Sequence, residues 1–127
     1  MSDIPDELRY AETHEWAHLE ADGTVTVGIS DHAQKALGDI VFVELAEVGK
    51  VFEAGEPAGI VESVKSASDF YAPVGGKVLA VNEELIDTPE FINDSPYEAW
   101  ILKLQPSNKT DYGNLLDAPA YRAATAD

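Results

Sequence analysis

Two short apolar segments separated by a small polar spacer constrain the middle of this 127-residue chain more than any other feature. Gly59 to Val64 and Phe70 to Val74 are rich in β-branched and aromatic residues, while Ser63, Ser66, Ser68 and Asp69 are turn formers. The spacing predicts a β-hairpin with Lys65 at its tip, projecting into water. An amine held out by a rigid turn is open to acylation, which would replace its charge by a neutral amide bearing a longer group. Most exposed turn lysines simply stay hydrated, so the residue types alone leave both readings standing.

The rest of the chain is cut into similarly small pieces. Leu8 to Glu20 leads through Ala21-Asp22-Gly23 into Thr24 to Ile29, where Val25, Val27 and Ile29 alternate as on one face of a strand; Asp22-Gly23 is a hairpin signal. Asp31 is placed to cap a two-turn helix, with Gln34 three residues on and Gly38 closing it after Leu37. Asp39 to Leu45 reads as a strand, and Gly49, Gly55 and Pro57 break the next stretch into short β pieces. Gly49-Lys50-Val51-Phe52 recurs 27 residues later as Gly76-Lys77-Val78-Leu79, with Glu56 echoed by Glu83. Thr88-Pro89-Glu90 reads as a capped helix start, Glu98 to Leu104 as a closing strand containing Trp100, and Asp111 to about Ala126 as a broken helix with Asp111 and Asp117 as N-caps and Pro119 in a first turn. Trp16, Trp100, Tyr97 and Phe42 are expected to pack in or beside the core. The expected fold class is mainly β with short helices, a sandwich of small strands.

A chain of this length buries one core, so we expect a single domain over 1-127, with the core at about 8-106 and a C-terminal helical segment at about 111-126. No run approaches the roughly 18 apolar residues of a membrane span. The acidic start, Met1 to Glu7, has neither the basic region nor the apolar stretch of a secretory signal. The expected location is the cytoplasm, or the mitochondrial matrix if the source is eukaryotic and a presequence has been removed. No cysteine is present, which fits a reducing compartment and excludes disulfides and thiolate metal sites. A net charge of -16, from 24 acidic and 8 basic residues, argues against nucleic acid or an anionic membrane as partner, and for partners with basic docking surfaces.

His14-Glu15-Trp16-Ala17-His18 spells the H-E-x-x-H signature of zinc hydrolases. That signature requires a helix, where residues four apart lie about 6 Å from each other. An extended segment separates them by roughly 13 Å, too far for two ligands each about 2 Å from zinc. No helical apolar stripe surrounds the segment and Asp22-Gly23 ends it, so a metal site is not expected and a zinc metallohydrolase is the distant alternative.

Glu62-Ser63-Val64-Lys65-Ser66-Ala67-Ser68-Asp69, followed by Tyr71-Ala72-Pro73-Val74-Gly75-Gly76-Lys77-Val78, closely resembles the lipoyl-lysine segment of glycine cleavage system H proteins. Tyr10, Thr13, His14, Glu15 and Trp16 likewise match that family's N-terminal pattern. The resemblance implies a lipoyl/biotinyl-type β-sandwich (barrel-sandwich hybrid) built from two quasi-equivalent halves, with peripheral helices and a C-terminal helix; the internal echo agrees. It implies a non-catalytic, monomeric carrier with lipoate attached to Lys65, within a motif of Glu62, Ser63, Val64, Ser66, Ser68 and Asp69. The arm would carry an aminomethyl group from the pyridoxal-phosphate glycine decarboxylase (P protein) to the tetrahydrofolate-dependent aminomethyltransferase (T protein). Dihydrolipoamide dehydrogenase (L protein) would reoxidise it, and a lipoate-attaching enzyme would load Lys65. By similarity, Thr13, Glu15 and Asp69 line a cleft into which the arm folds; as plain residues, Glu15 and Asp69 read equally well as two hydrated carboxylates. The chain departs from the family pattern at Tyr97-Glu98-Ala99-Trp100 and at Ala36, where a histidine is expected near the cleft. An H-like lipoate-relay protein and a lipoyl domain of a 2-oxoacid dehydrogenase are the alternatives, although the Ala/Pro-rich linkers of the latter are missing.

Overall fold

The computed structural model describes residues 3–108 and 110–125. In chain order the strands are β1 (Arg9–Tyr10), β2 (Glu15–Leu19), β3 (Val25–Ile29), β4 (Ile40–Glu44), β5 (Val51–Phe52), β6 (Pro57–Ser63), β7 (Ala67–Tyr71), β8 (Gly76–Val81) and β9 (Leu102–Pro106). The helices are α1 (Asp31–Leu37), α2 (Glu84–Asp87), α3 (Phe91–Asp94), α4 (Thr110–Gly113) and α5 (Ala118–Thr125). Among the described residues the strands form a six-stranded sheet in the order β1-β2-β3-β9-β8-β5 and a three-stranded sheet in the order β4-β6-β7, all pairings antiparallel. This is the mainly β fold with short helices that the pattern of breaks predicts.

The sheets enclose one apolar cluster, in which Val25, Val27 and Ile29 of β3 meet Val61 of β6, Phe70 of β7 and Leu102 and Leu104 of β9. Alternation puts these side chains on the same face of their strands, which is why a period of two sufficed to foresee β3. The echoed segments turn out to be hydrogen-bonded to each other: Val51 pairs with Lys77 and Phe52 with Gly76, flanked by bonds of 2.8 Å from the Gly49 N–H to the Val78 carbonyl and from the Val78 N–H to the Lys50 carbonyl. Antiparallel pairing of two copies of one motif is what a local two-fold relation requires.

A second cluster, made by Ile4, Leu8, Tyr10, Trp16, Ala118 and Tyr121, lies beneath α5. The buried interior therefore includes Ile4 near one end of the chain and Ala118 and Tyr121 near the other. Trp16 belongs to it because Gly28 leaves room: a Cβ on Gly28 would sit 2.6 Å from the indole.

Several local expectations are corrected. Ser30, not Asp31, caps α1, its Oγ accepting the Ala33 N–H at 3.2 Å. The Asp31 carboxylate instead accepts from the Gln34 amide at 2.8 Å and lies 3.3 Å from the Lys35 ammonium. Thr88 closes α2, a short helix with too few residues to show a period, while α3 starts at Phe91 with no side-chain cap. The closing strand begins at Leu102, leaving Trp100 in the irregular segment before it. Phe42 is 46% exposed and does not pack in the core. The C-terminal segment is two helices: Asn108, not Asp111, accepts the first N–H of α4, from Thr110 at 3.0 Å, whereas Asp117 caps α5 through the Ala120 N–H at 3.0 Å, as expected. Ala126 lies outside the described residues.

Candidate functional site

The hairpin is β6 and β7, shifted from its expected strands, so that Ser68 and Asp69 belong to β7 and only Val64, Lys65 and Ser66 form the tip. Ser63 builds that tip. Its N–H donates to the Ser66 carbonyl at 2.7 Å, and its Oγ accepts the N–H groups of Lys65 at 3.1 Å and Ser66 at 3.2 Å. A serine hydroxyl standing in for a main-chain carbonyl in this way is a reason serine favours turns. The Val64 N–H donates to the Asp39 carbonyl at 3.0 Å and so ties the tip to the residue that precedes β4.

Lys65 is exposed, and among the described residues its ammonium makes no ion pair. Its Nζ donates to the Ala36 carbonyl at 3.3 Å, in the last turn of α1. The stem crosses the helix end over Gly38, where an added Cβ would come within 3.3 Å of Cε and where φ is 85°. Asn93 of α3 fixes this junction, donating to the Gly38 carbonyl at 2.9 Å and accepting the Ile40 N–H at 2.8 Å.

Ala36 also forms the lip of a cleft of about 150 Å³. One wall is the turn Thr13-His14-Glu15, a second is α1 through Ala33, Ala36 and Leu37, and a third is β7 through Ser68, Asp69 and Phe70; Ile29 and Val61 also line it. Thr13, Glu15 and Asp69, which the resemblance grouped, thus line one space. Glu62 and Ser66 do not line it, and a more open groove of about 380 Å³ beyond Asp69 touches neither Glu15 nor Ala36.

Glu15 is only 1% exposed. Its carboxyl accepts a short hydrogen bond from the Thr13 hydroxyl and the Tyr71 N–H at 3.1 Å. Burial raises its pKa to about 7, against the opposing effect of those two bonds. The hydrated alternative is therefore excluded for Glu15, whereas Asp69 is exposed. His14, in the left-handed region at φ 78°, joins the same wall. Burial, and then the neighbouring His32, hold its pKa below the usual histidine value. Spacing drew attention to His14 as a metal ligand; nothing in the sequence linked it, or Ala33 and Leu37, to a cleft.

The H-E-x-x-H segment is strand from Glu15 onward. His14 Nδ1 lies 2.7 Å from the Tyr121 hydroxyl and His18 Nδ1 lies 3.1 Å from Glu20 Oε2, so the two imidazoles serve different partners. Among the described residues no three His, Asp or Glu side chains are placed to hold a metal ion.

The sequence profile of the glycine cleavage H-protein family matches residues 8–127. The chain belongs to that family. It is 72% identical to glycine cleavage system H protein 2 of Pseudomonas putida, over 97% of each chain, and 53% identical to the glycine cleavage system H protein of Salmonella arizonae, over 100% of this chain and 99% of that one. The crystal structure of the H protein from Mycobacterium marinum superposes with a TM-score of 0.87 at 42% identity, covering 94% of this chain and 97% of its own. An H protein is the carrier component of the glycine cleavage system, and works with that system's other components.

The residues of this H protein fit a lipoyl amide. Lys65 offers an exposed amine with, among the described residues, a single carbonyl partner, which acylation can displace. The adjacent cleft presents Ile29, Ala33, Leu37, Val61 and Phe70 to an aliphatic chain and two carboxyl groups to a cationic end. No helix is long and apolar enough to cross a membrane among the described residues.

Proposed function

We propose that this H protein is a non-catalytic, single-domain carrier with lipoate in amide linkage on Lys65, shuttling an aminomethyl group within the glycine cleavage system. The observation that carries this is the placement of one exposed lysine at a stitched β turn, its amine 3.3 Å from the lip of a cleft floored by Glu15. When bound, lipoate supplies a reversible dithiol that can accept the one-carbon amine and later be reoxidised. The protein supplies placement. The β6–β7 hairpin would fix the root of the arm, Ile29, Leu37 and Phe70 would give its chain an apolar bed, and Glu15 and Asp69 would offer carboxyl groups to the amine.

Because Glu15 titrates near 7, an ammonium within about 4 Å would favour the ionised carboxylate by roughly 1 to 4 kcal/mol, and its arrival would drive a proton off Glu15. The surface charge suits basic patches on the partners: glycine decarboxylase, aminomethyltransferase, dihydrolipoamide dehydrogenase and the enzyme that attaches lipoate. A cytoplasmic monomer that visits each in turn fits a tethered group that is never diluted.

Peptide mass analysis of the protein from its native host tests this reading. A lipoyl adduct on Lys65, with trypsin failing to cleave there, is expected. An unmodified Lys65 in a lipoate-competent host overturns it.

A further inference from the structure

The carrier function leaves the C-terminal helix without a task. Helix α5 nevertheless places one buried side chain, Tyr121, between two walls of the cleft. Its ring is 1% exposed and stacks on Tyr10, with centroids 4.4 Å apart and planes 4° from parallel. Its hydroxyl lies 2.7 Å from His14 Nδ1 and 2.8 Å from Ser30 Oγ. His14 belongs to the turn that carries Thr13 and Glu15; Ser30 caps the helix whose last turn carries Ala36. The two walls are otherwise tied near here by the Ser30 N–H to the His14 carbonyl, at 2.9 Å.

Proton counting gives the bonds a direction. Ser30 is fully buried, and its Oγ already accepts the Ala33 N–H at 3.2 Å. If Tyr121 donated to Ser30, the serine proton would have no acceptor among its described neighbours, leaving a buried donor unsatisfied. The satisfied arrangement runs one way: Ala33 N–H to Ser30, Ser30 O–H to Tyr121, Tyr121 O–H to His14 Nδ1. It leaves His14 neutral with its proton on Nε2, in keeping with the burial and the adjacent His32 that disfavour its charged form.

We propose that Tyr121 is a positioning residue for the carrier cleft: through its hydroxyl, α5 clasps the His14 turn to the first turn of α1 and fixes the separation of the cleft walls. The inference rests on the reading of the cleft as the resting place of the loaded arm. It assigns to the C-terminal helix control over how well the load is shielded from water.

Three measurements test it. Nitrogen-15 NMR of the unmodified wild type should show His14 as the Nε2–H tautomer; an Nδ1–H tautomer overturns the proposal without any variant. Tyr121→Phe keeps the ring and loses the clasp, whereas Tyr10→Phe loses an equally buried hydroxyl, bonded at 2.6 Å to the Pro5 carbonyl, and keeps it. Amide exchange across Ala33 to Leu37 should rise at least about fivefold in Tyr121→Phe, which loses both hydrogen bonds of the hydroxyl, and stay near wild type in Tyr10→Phe.

On lipoylated, aminomethyl-loaded protein without partners, water cleaves the sulfur–carbon bond, returning the thiol and releasing formaldehyde and ammonia. That release should also quicken about fivefold in Tyr121→Phe only. Equal effects in both variants, or no rise in either readout for Tyr121→Phe, overturn the clasp. Glu15→Gln separates the two ideas. If it speeds release and Tyr121→Phe does not, the clasp alone fails; if it leaves release unchanged, the cleft reading fails and takes the clasp with it.

Discussion

The hairpin tip at Lys65 reaches the lip of the cleft through the Ala36 carbonyl and the turn at Thr13 to Glu15 forms one of its walls, and they are built by opposite means. The tip is exposed, and its shape comes from local hydrogen bonds to a single serine. Its key side chain rests on one carbonyl. The opposing turn is held from all sides: Glu15 is 1% exposed, His14 adopts φ 78°, and its nearest anchor, Tyr121, comes from the far end of the chain. A residue that several enzymes must reach needs a stiff backbone and a free side chain. A residue that must grip a charged load needs a desolvated, pre-oriented carboxyl. The contrast teaches that presentation can be encoded locally, while holding depends on tertiary structure.

The largest expected effect breaks the presenting side. Lys65→Arg should abolish the lipoyl adduct and reduce glycine decarboxylation to background, while the thermal midpoint stays near wild type because the side chain is exposed; mass analysis and calorimetry check both. Next comes the holding side. The native pKa of Glu15, about 7, lies above the ordinary 4.5, so the folded state binds the proton more tightly than the unfolded chain. The resulting stability is fully present below about 4.5 and is lost as pH rises through about 7, by about 3 kcal/mol in all. Urea unfolding at pH 5 and pH 8 should show that loss in the wild type beyond that in Glu15→Gln; parallel curves would mean that the carboxyl is better solvated than its burial indicates.

A smaller effect sharpens the account of the tip. Ser63→Ala removes the acceptor of two main-chain N–H groups and should cost about 1 kcal/mol, seen as a fall of about 4 °C in Tm, with slower lipoylation as the lysine loses its fixed aim. The smallest is Val64→Ala. At 67% exposure it should leave stability within about 0.5 kcal/mol, so any slowing of lipoylation in that variant reports contact with the attaching enzyme rather than a loosened turn.

Legibility in the sequence followed the same divide. The alternation of Val25, Val27 and Ile29, the Asp22-Gly23 turn and the lysine hairpin were readable because each is set by neighbours in the chain. The echo of Gly49 to Phe52 in Gly76 to Leu79 was visible, although its meaning, that the two copies pair with each other, appears only in three dimensions. Thr13, Glu15 and Asp69 could be grouped through family resemblance alone; no spacing rule brings residue 15 to residue 69. Caps were the weakest point, since Ser30 beside Asp31 and Asn108 near Asp111 offer adjacent residues of equal propensity, and backbone geometry chooses between them. Phe42, expected in or beside the core, is 46% exposed, and a large aromatic on a half-exposed strand carries no mark of which face it takes.

The Lys65 ammonium rests against the carbonyl end of α1, where a positive charge is favoured by about 0.3 to 1 kcal/mol. Forming an amide at Nζ discharges that nitrogen and removes the attraction in the same step. The unmodified side chain is moored to the helix end by its charge, and the reaction that would install a lipoyl arm on Lys65 would also weaken that mooring.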